Sequence, residues 1–243
     1  VPTAAHLRVD PGDCADIALL PGDPDRVDRI AAHLDDRTDL AANREYRLVD
    51  GTYDGRRVTV CSTGIGSPSA AIAVEELASV GVETVVRVGT IGALQADIAT
   101  GDLIVPTAAA KDEGTTKRYE SATIPAVATP AIATSIAQVA TATDATAHVG
   151  PIVTDDAFYA EGDDYVADWE AAGLLGVEME AAAIFTLARR RGLSAGAICA
   201  VDGNLVAGTQ KGTDEDSDDE LPDAAREGVD REIQVALDAL SEL

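Results

Sequence analysis

The sequence predicts an α/β fold in three layers, a mixed or largely parallel central sheet with helices on both faces. Three observations carry that expectation. Short Val-, Ile- and Leu-rich runs of strand length recur along the 243 residues. Helix-length patterns separate several of these runs. Glycine-rich turns stand where an apolar run gives way to a helix pattern, as alternating α/β units require.

Taken in order, the first strand is Ile17–Leu20, which runs into Pro21-Gly22-Asp23-Pro24 and a helix over 25–33. A second strand, 57–61, runs into Ser62-Thr-Gly-Ile-Gly66. There Gly64 and Gly66 let backbone N–H groups approach a ligand, and Pro68 and Ser69 open a helix over 68–80. The strand 84–88 places Arg87 between two valines. Apolar runs at 103–106 and 148–153 flank a helix over 130–141 that begins at Pro130. The strand 174–177 ends in Glu178-Met179-Glu180, where a helix over 180–191 begins, and the strand 197–201 precedes Asp202-Gly-Asn204. A last helix covers 223–243. Before it, six of the nine residues of segment 212–220 are acidic, which reads as a solvated loop. No linker divides the chain, so residues 1–243 are expected to form one domain.

Composition limits what such a fold can do. Asp and Glu number 43 against 18 Lys and Arg, a formal charge of -25, so nucleic acid and anionic membrane surfaces are repelled. The hydrophobic fraction of 46% argues against disorder, which leaves surface adaptation to a salt-rich cytoplasm as the reading of the acidity. Cys14, Cys61 and Cys199 lack metal-ligand spacing and are odd in number, so they are expected as buried, reduced thiols. No apolar run approaches the roughly 18 residues needed to span a bilayer, and a cytoplasmic protein is expected.

The segment 62–77, STGIGSPSAAIAVEEL, followed by Arg87-Val-Gly-Thr90, points to an oxyanion site. It fits neither the dinucleotide-binding nor the P-loop pattern. Arginine suits phosphate because its planar fork makes paired charge-assisted bonds. Arg26 stands at a helix start, where free N–H groups already favour an anion. Arg87 sits among apolar residues and needs a partner of opposite charge. Glu178 and Glu180 come together at a strand terminus, where ligands of α/β sheets bind.

Together with His6-Leu7, Pro21-Gly-Asp-Pro-Asp-Arg26, Asn43-Arg-Glu-Tyr46, Arg87-Val-Gly-Thr-Ile-Gly92, Phe158-Tyr159 and Val177-Glu-Met-Glu-Ala181, this string resembles the nucleoside phosphorylase family, which includes uridine phosphorylase and the hexameric purine nucleoside phosphorylases. The resemblance covers nearly the whole chain. It implies the phosphorylase fold, in which the mixed central sheet forms a distorted barrel, a homo-hexamer built from dimers, no cofactor beyond phosphate as co-substrate, and phosphorolysis of a ribonucleoside to free base and ribose 1-phosphate. It implies phosphate contacts from Gly22, Arg26, Arg87 and Thr90, with Arg44 reaching into the neighbouring subunit's site. The ribose would meet Met179 and Glu180, with His6 of the adjacent subunit at the 5′-hydroxyl, and the base would meet Gly92 and Phe158. Glu45, Ile65 and Ser69 match positions that hold a monovalent cation, here K+. By the same resemblance the 212–220 loop would act as a lid.

The base pocket departs from both subfamilies. The glutamine and arginine with which uridine phosphorylases read uracil fall near Gly162 and Asp164, and a further pocket arginine falls on Leu205. The aspartate with which the purine enzymes protonate N7 aligns with Gly203, one residue after Asp202; a one-residue shift on a strand reverses side-chain direction, but a loop conformation would still allow Asp202 to serve, and it stands with Arg87 and Glu180 as a candidate catalytic residue and as a contact of the base. Carboxylates from Glu161, Asp163, Asp164 or Asp202 would pair with adjacent donors on a base, as on guanine. A 6-oxopurine nucleoside is therefore the expected substrate, with uridine as the alternative. A nucleoside hydrolase and a non-catalytic binding protein are the readings from other classes.

Overall fold

A computed structural model describes residues 3–209 and 221–242. Ten strands form one mixed sheet among them. In chain order they are β1 (Ile17–Leu20), β2 (Asp35–Asn43), β3 (Tyr46–Tyr53), β4 (Arg56–Cys61), β5 (Thr84–Ala93), β6 (Leu103–Asp112), β7 (Ala126–Val127), β8 (Ala147–Asp155), β9 (Gly176–Glu178) and β10 (Ser194–Asn204). The helices are α1 (Pro24–Ala31), α2 (Ser67–Ser79), α3 (Pro130–Thr141), α4 (Asp163–Ala171), α5 (Ala181–Arg191) and α6 (Asp223–Asp238). The strand order is β10-β6-β8-β9-β5-β1-β4-β3-β2, and β10 also pairs with β5. Strands β5, β10, β6, β8 and β9 thus close a five-stranded barrel, and β1, β4, β3 and β2 extend from it as an open wing.

The length of β5 makes this closure possible. Its first half, from Thr84 to Arg87, pairs in parallel with β1, and its end at Gly92 and Ala93 pairs antiparallel with β9. All ten residues pair along β10. One strand therefore belongs to the wing at its start and to the barrel at its end.

Side chains alternate across the sheet and fill two cores. On one side Ala18, Leu20, Val85, Ala197 and Cys199 pack with α2 and α5. On the other side Ile17, Leu19, Val86, Val88, Ile198 and Ala200 pack with α1, α3 and α6. These are the layers expected from the sequence. The three cysteines are buried and free. No helix among the described residues is long and apolar enough to cross a membrane.

Three parts of this frame have no counterpart in the sequence analysis: the β2–β3 hairpin, helix α4 and the two-residue strand β7, which pairs with β6. The β2–β3 hairpin covers 35–53, where β2 is almost wholly exposed and shows no apolar alternation. Helix α4 has no buried residue. Several strands also run longer than their apolar cores: β6 continues to Asp112 and β10 to Asn204. The acidic segment 212–220 lies outside the described residues.

Candidate active site

Strands β1, β4, β5 and β10 run parallel in this region, so their C-terminal ends lie together, and β9 meets β5 from the opposite direction. A cavity of about 980 Å³ opens there. It lies where ligands of open α/β sheets bind. Gly22, Arg26, Glu45, Ile65, Ser69, Arg87, Thr90, Gly92, Phe158, Met179, Glu180 and Asp202 all line it, whereas His6 and Arg44 do not.

Arg87 is 3% exposed, and its guanidinium is already engaged. Its Nη2 lies 2.6 Å from Glu180 Oε2. Its Nε lies 2.8 Å from Glu178 Oε2 but off the hydrogen-bond direction, and its Nη1 is buried without a hydrogen-bond partner. The partner of opposite charge that Arg87 needs is thus present within the protein: two carboxylates balance it and leave one edge of the fork over. Burial opposes the guanidinium charge, but Glu180 and Glu178 outweigh it and hold the pKa above its ordinary value. Burial also lifts the Glu180 carboxyl above the usual range, against the pull of Arg87. A Cβ on Gly89 would fall 2.7 Å from Arg87 Cζ, so only glycine leaves room for this guanidinium.

Glu178 fixes the start of α5. Its carboxylate accepts the backbone N–H groups of Glu180 and Ala181 at 2.9 Å, and its Oε1 accepts the Thr154 hydroxyl at 2.6 Å. Thr154 Oγ1 accepts the Ala182 N–H at 2.9 Å. Helix N–H groups without partners in their own turn are satisfied in this way, and the carboxylates are held for Arg87.

The glycine-rich turn behaves differently from its expected role. The Gly66 N–H, at φ 97°, donates to Glu180 Oε1 at 2.5 Å. The Thr63 and Gly64 N–H groups donate to the carbonyls of Pro21 and Gly22, both at 2.9 Å. These three donors therefore do not form an anion cradle. The turn positions Glu180 and the β1–α1 loop, which carries Gly22.

Arg26 lies on α1, 9% exposed, with Nη1 3.3 Å from the Val88 carbonyl and 3.3 Å from Glu232 Oε1. Glu232 was not singled out from the sequence, although a charged residue within the apolar stripe of α6 (Ala225, Val229, Ile233, Ala236) was a signal.

Beside the same cavity β10 carries a bulge. Val201 pairs with Ile91 and Gly203 with Gly92, so Asp202 is the extra residue on its strand. A bulge re-aims a side chain, and Asp202 lines the cavity despite the one-residue offset expected to turn it away. Glu161 also lines the cavity, whereas Asp163 and Asp164 do not. Burial, followed by Asp155 and Asp202, pushes the Glu161 carboxyl up to about 7. Leu205 and Phe158 add apolar surface, with Phe158 43% exposed and Tyr159 beside it 99% exposed.

His6 is tied down rather than frayed. Glu76 accepts the N–H groups of His6 and Leu7, at 2.9 and 2.8 Å through Oε2, and its Oε1 lies 2.6 Å from His6 Nδ1. Arg44 is exposed at the β2–β3 turn with φ 56°. Glu45 and Ser69 flank Gly64 on the cavity rim beside Ile65.

A barrel with an open wing, and a cavity joining buried arginines to a carboxylate pair, define the phosphorylase class of fold and site. The chain belongs to the phosphorylase superfamily, whose family model matches residues 16–241. It is 60% identical over 238 residues to a guanosine phosphorylase of Halorubrum lacusprofundi, covering 98% of each chain. A uridine phosphorylase from Vibrio fischeri superposes with a TM-score of 0.91 at 37% identity, covering 100% of this chain and 98% of that one. A purine nucleoside phosphorylase from Toxoplasma gondii, in complex with immucillin-H, superposes with a TM-score of 0.88 at 29% identity over 98% of this chain and 95% of that one. The protein is an enzyme of the nucleoside phosphorylase class, a pentosyltransferase.

Proposed function

We propose that the enzyme cleaves a 6-oxopurine ribonucleoside, guanosine or inosine, with inorganic phosphate as co-substrate. Phosphate attacks C1′ while the bond to the base breaks and its electron pair leaves with the base. Arg26 and Arg87 hold the anion, Arg87 through the guanidinium edge that has no protein partner, with Gly22 and Thr90 completing the subsite. Glu180 and Met179 hold the ribose, so the carboxylate stands where positive charge builds on the sugar. At the base end a protonated Asp202 donates its proton to N7 as the electron pair moves onto the base, and Glu161 accepts from N1–H and the exocyclic amine of guanine. Gly92 and Phe158 border the base.

One observation carries the choice of base: the bulged Asp202 and Glu161 line the same cavity within electrostatic reach of each other, so that a proton on Asp202 suits the N7 acceptor and the Glu161 acceptor suits the donor-bearing edge of guanine. Similarity to the Halorubrum guanosine phosphorylase supports it. Uridine is the second reading, favoured by the fold likeness to the Vibrio uridine phosphorylase. The assay is base release from guanosine, inosine, adenosine, uridine and thymidine in molar KCl, with and without phosphate. Phosphate-dependent cleavage of guanosine or inosine is expected. A preference for uridine overturns the purine reading, and cleavage without phosphate overturns phosphorolysis in favour of hydrolysis.

We further propose a cytoplasmic homo-hexamer of one-domain subunits, in which His6 and Arg44 serve the adjacent subunit's site. Both lie outside the cavity of their own chain, as that role requires. Glu45, Ile65 and Ser69 are proposed to hold K+ between paired subunits.

A further inference from the structure

Glu232 is fully buried on α6, and neither the phosphate nor the ribose assignment uses it. Its Oε2 accepts the Ala200 N–H of β10 at 2.8 Å, and its Oε1 has no hydrogen bond. That bare oxygen stands 3.3 Å from Arg26 Nη1. The charged or titratable groups facing it are Arg26 and Arg29 from α1, Arg87 from β5, and the Cys199 thiol from β10. Around the anion subsite two buried guanidinium groups, Arg26 and Arg87, thus meet three buried carboxyl groups, Glu178, Glu180 and Glu232. Were all three ionised, the set would be negative before a phosphate dianion entered.

Two of the three cannot easily give way. Glu178 is bound to two α5 N–H groups and to Thr154, and Glu180 is bound to Gly66 and Arg87. Glu232 alone keeps an oxygen that faces its arginine without a hydrogen bond. We propose that Glu232 is a positioning residue of the anion subsite: it holds Arg26 from behind when the site is empty, and phosphate binds with a proton on its carboxyl group. Where the empty site lacks that proton, it comes from solvent as the anion enters and returns as the anion leaves. This rests on the assignment of Arg26 and Arg87 to phosphate.

The sign follows from linkage. Burial, against the pull of Arg26, pushes the Glu232 carboxyl up to about 8 in the empty site. Below that pH the proton is already present and anion affinity is level. Above it each bound anion must draw a proton, so affinity falls by up to about tenfold per pH unit.

Sulfate is the probe, because it remains a dianion throughout this range while phosphate itself titrates. Its inhibition constant against phosphate is measured from roughly pH 6.5 to 9.5, a window bracketing the expected onset of linkage. In the wild type it should be level at first and then climb toward a tenfold rise per pH unit. In Glu232→Gln it should stay level throughout, which loss of mere packing would not produce. Glu232→Met, of similar length and without a titrating group, takes its place if the glutamine variant does not fold. A level wild-type profile, or an equally steep profile in the variant, overturns the proposal while leaving the phosphate subsite standing. If sulfate fails to compete in an enzyme that still phosphorolyses nucleosides, the subsite assignment falls and the proposal falls with it.

Discussion

Replacing Arg87 by alanine tests the centre of the site through two independent readouts. The substitution removes the guanidinium while leaving Glu178 and Glu180, whose side chains are 1% and 6% exposed, facing one another without their cation. Losing a charge partner of the transition state costs on the order of 10²–10³ in turnover, about 3–4 kcal/mol. The Michaelis constant for phosphate should rise with it. Stability should fall by roughly 3–5 kcal/mol at neutral pH, the cost of breaking a buried pair and stranding its partner. That second loss carries a pH signature. Burial already lifts the folded-state pKa of Glu180, and removing Arg87, which opposes that shift, lifts it further. The native variant then binds more protons than the unfolded chain once pH exceeds the unfolded value of about 4.3, so its stability falls as pH rises. Urea midpoints at about pH 5 and pH 8 should therefore show the larger deficit at the higher pH, beside phosphate-dependent guanosine cleavage measured in the same salt. Wild-type phosphate kinetics in the variant would refute the assignment of Arg87 to the anion. An equal stability deficit at both pH values would refute the stranded-carboxylate argument.

Two further substitutions probe neighbours of that guanidinium. Glu180→Gln should reduce cleavage of ribosides far more than that of 2′-deoxyribosides, because a carboxylate gripping the 2′-hydroxyl has nothing to grip in the latter; equal losses in kcat/KM would remove Glu180 from that hydroxyl. Gly89→Ala places a methyl group 2.7 Å from Arg87 Cζ, so the guanidinium must shift by a few tenths of an ångström or more. A displacement approaching 1 Å costs up to about a hundredfold in turnover. Unchanged kcat in a folded Gly89→Ala enzyme would show that the position of the fork is not critical.

What the sequence disclosed follows physical lines. Buried strands such as β1 and helices opened by proline, such as α3, announce themselves because their apolar pattern and their boundaries are local. The β2–β3 hairpin does not. Its first strand, DDRTDLAAN, has no apolar alternation, and its turn, Arg44-Glu45, carries no glycine signal. Most cavity residues were named from short motifs, but what their atoms do was not legible. Glycines at 64 and 66 suggested N–H groups waiting for an anion, and the folded chain commits both donors to protein acceptors. Asp202 fails a strand-parity argument and is rescued by a bulge, which depends on pairing with β5 and has Gly203 as its local sign in the sequence. Glu232 was visible as an acid within an apolar stripe, but its partner Arg26 is remote in sequence.

A chain with a formal charge of -25 must nevertheless attract phosphate, and the arrangement of its buried acids accounts for how. The surface carboxylates act over distance. At molar salt, where the Debye length is about 3 Å, that repulsion scarcely reaches a buried site, whereas charges in direct contact inside it are little screened. Local arrangement therefore decides. The two buried arginines of the cavity are backed by protein carboxyl groups: Arg87 by Glu178 and Glu180, Arg26 by Glu232. Backing lowers the net positive potential, but it keeps two long cations buried in one geometry and leaves Arg87 Nη1 without a protein partner. The same contact joins the two halves of the proposed reaction. Glu180 holds Arg87 Nη2 at 2.6 Å and, in the proposed assignment, also grips the ribose. A single carboxylate would then fix the cation that holds the nucleophile and stand beside the positive charge that develops on the sugar. The distance between phosphate and C1′ would be set by one buried residue rather than by two independent ones, as an in-line displacement with little tolerance for misplacement requires.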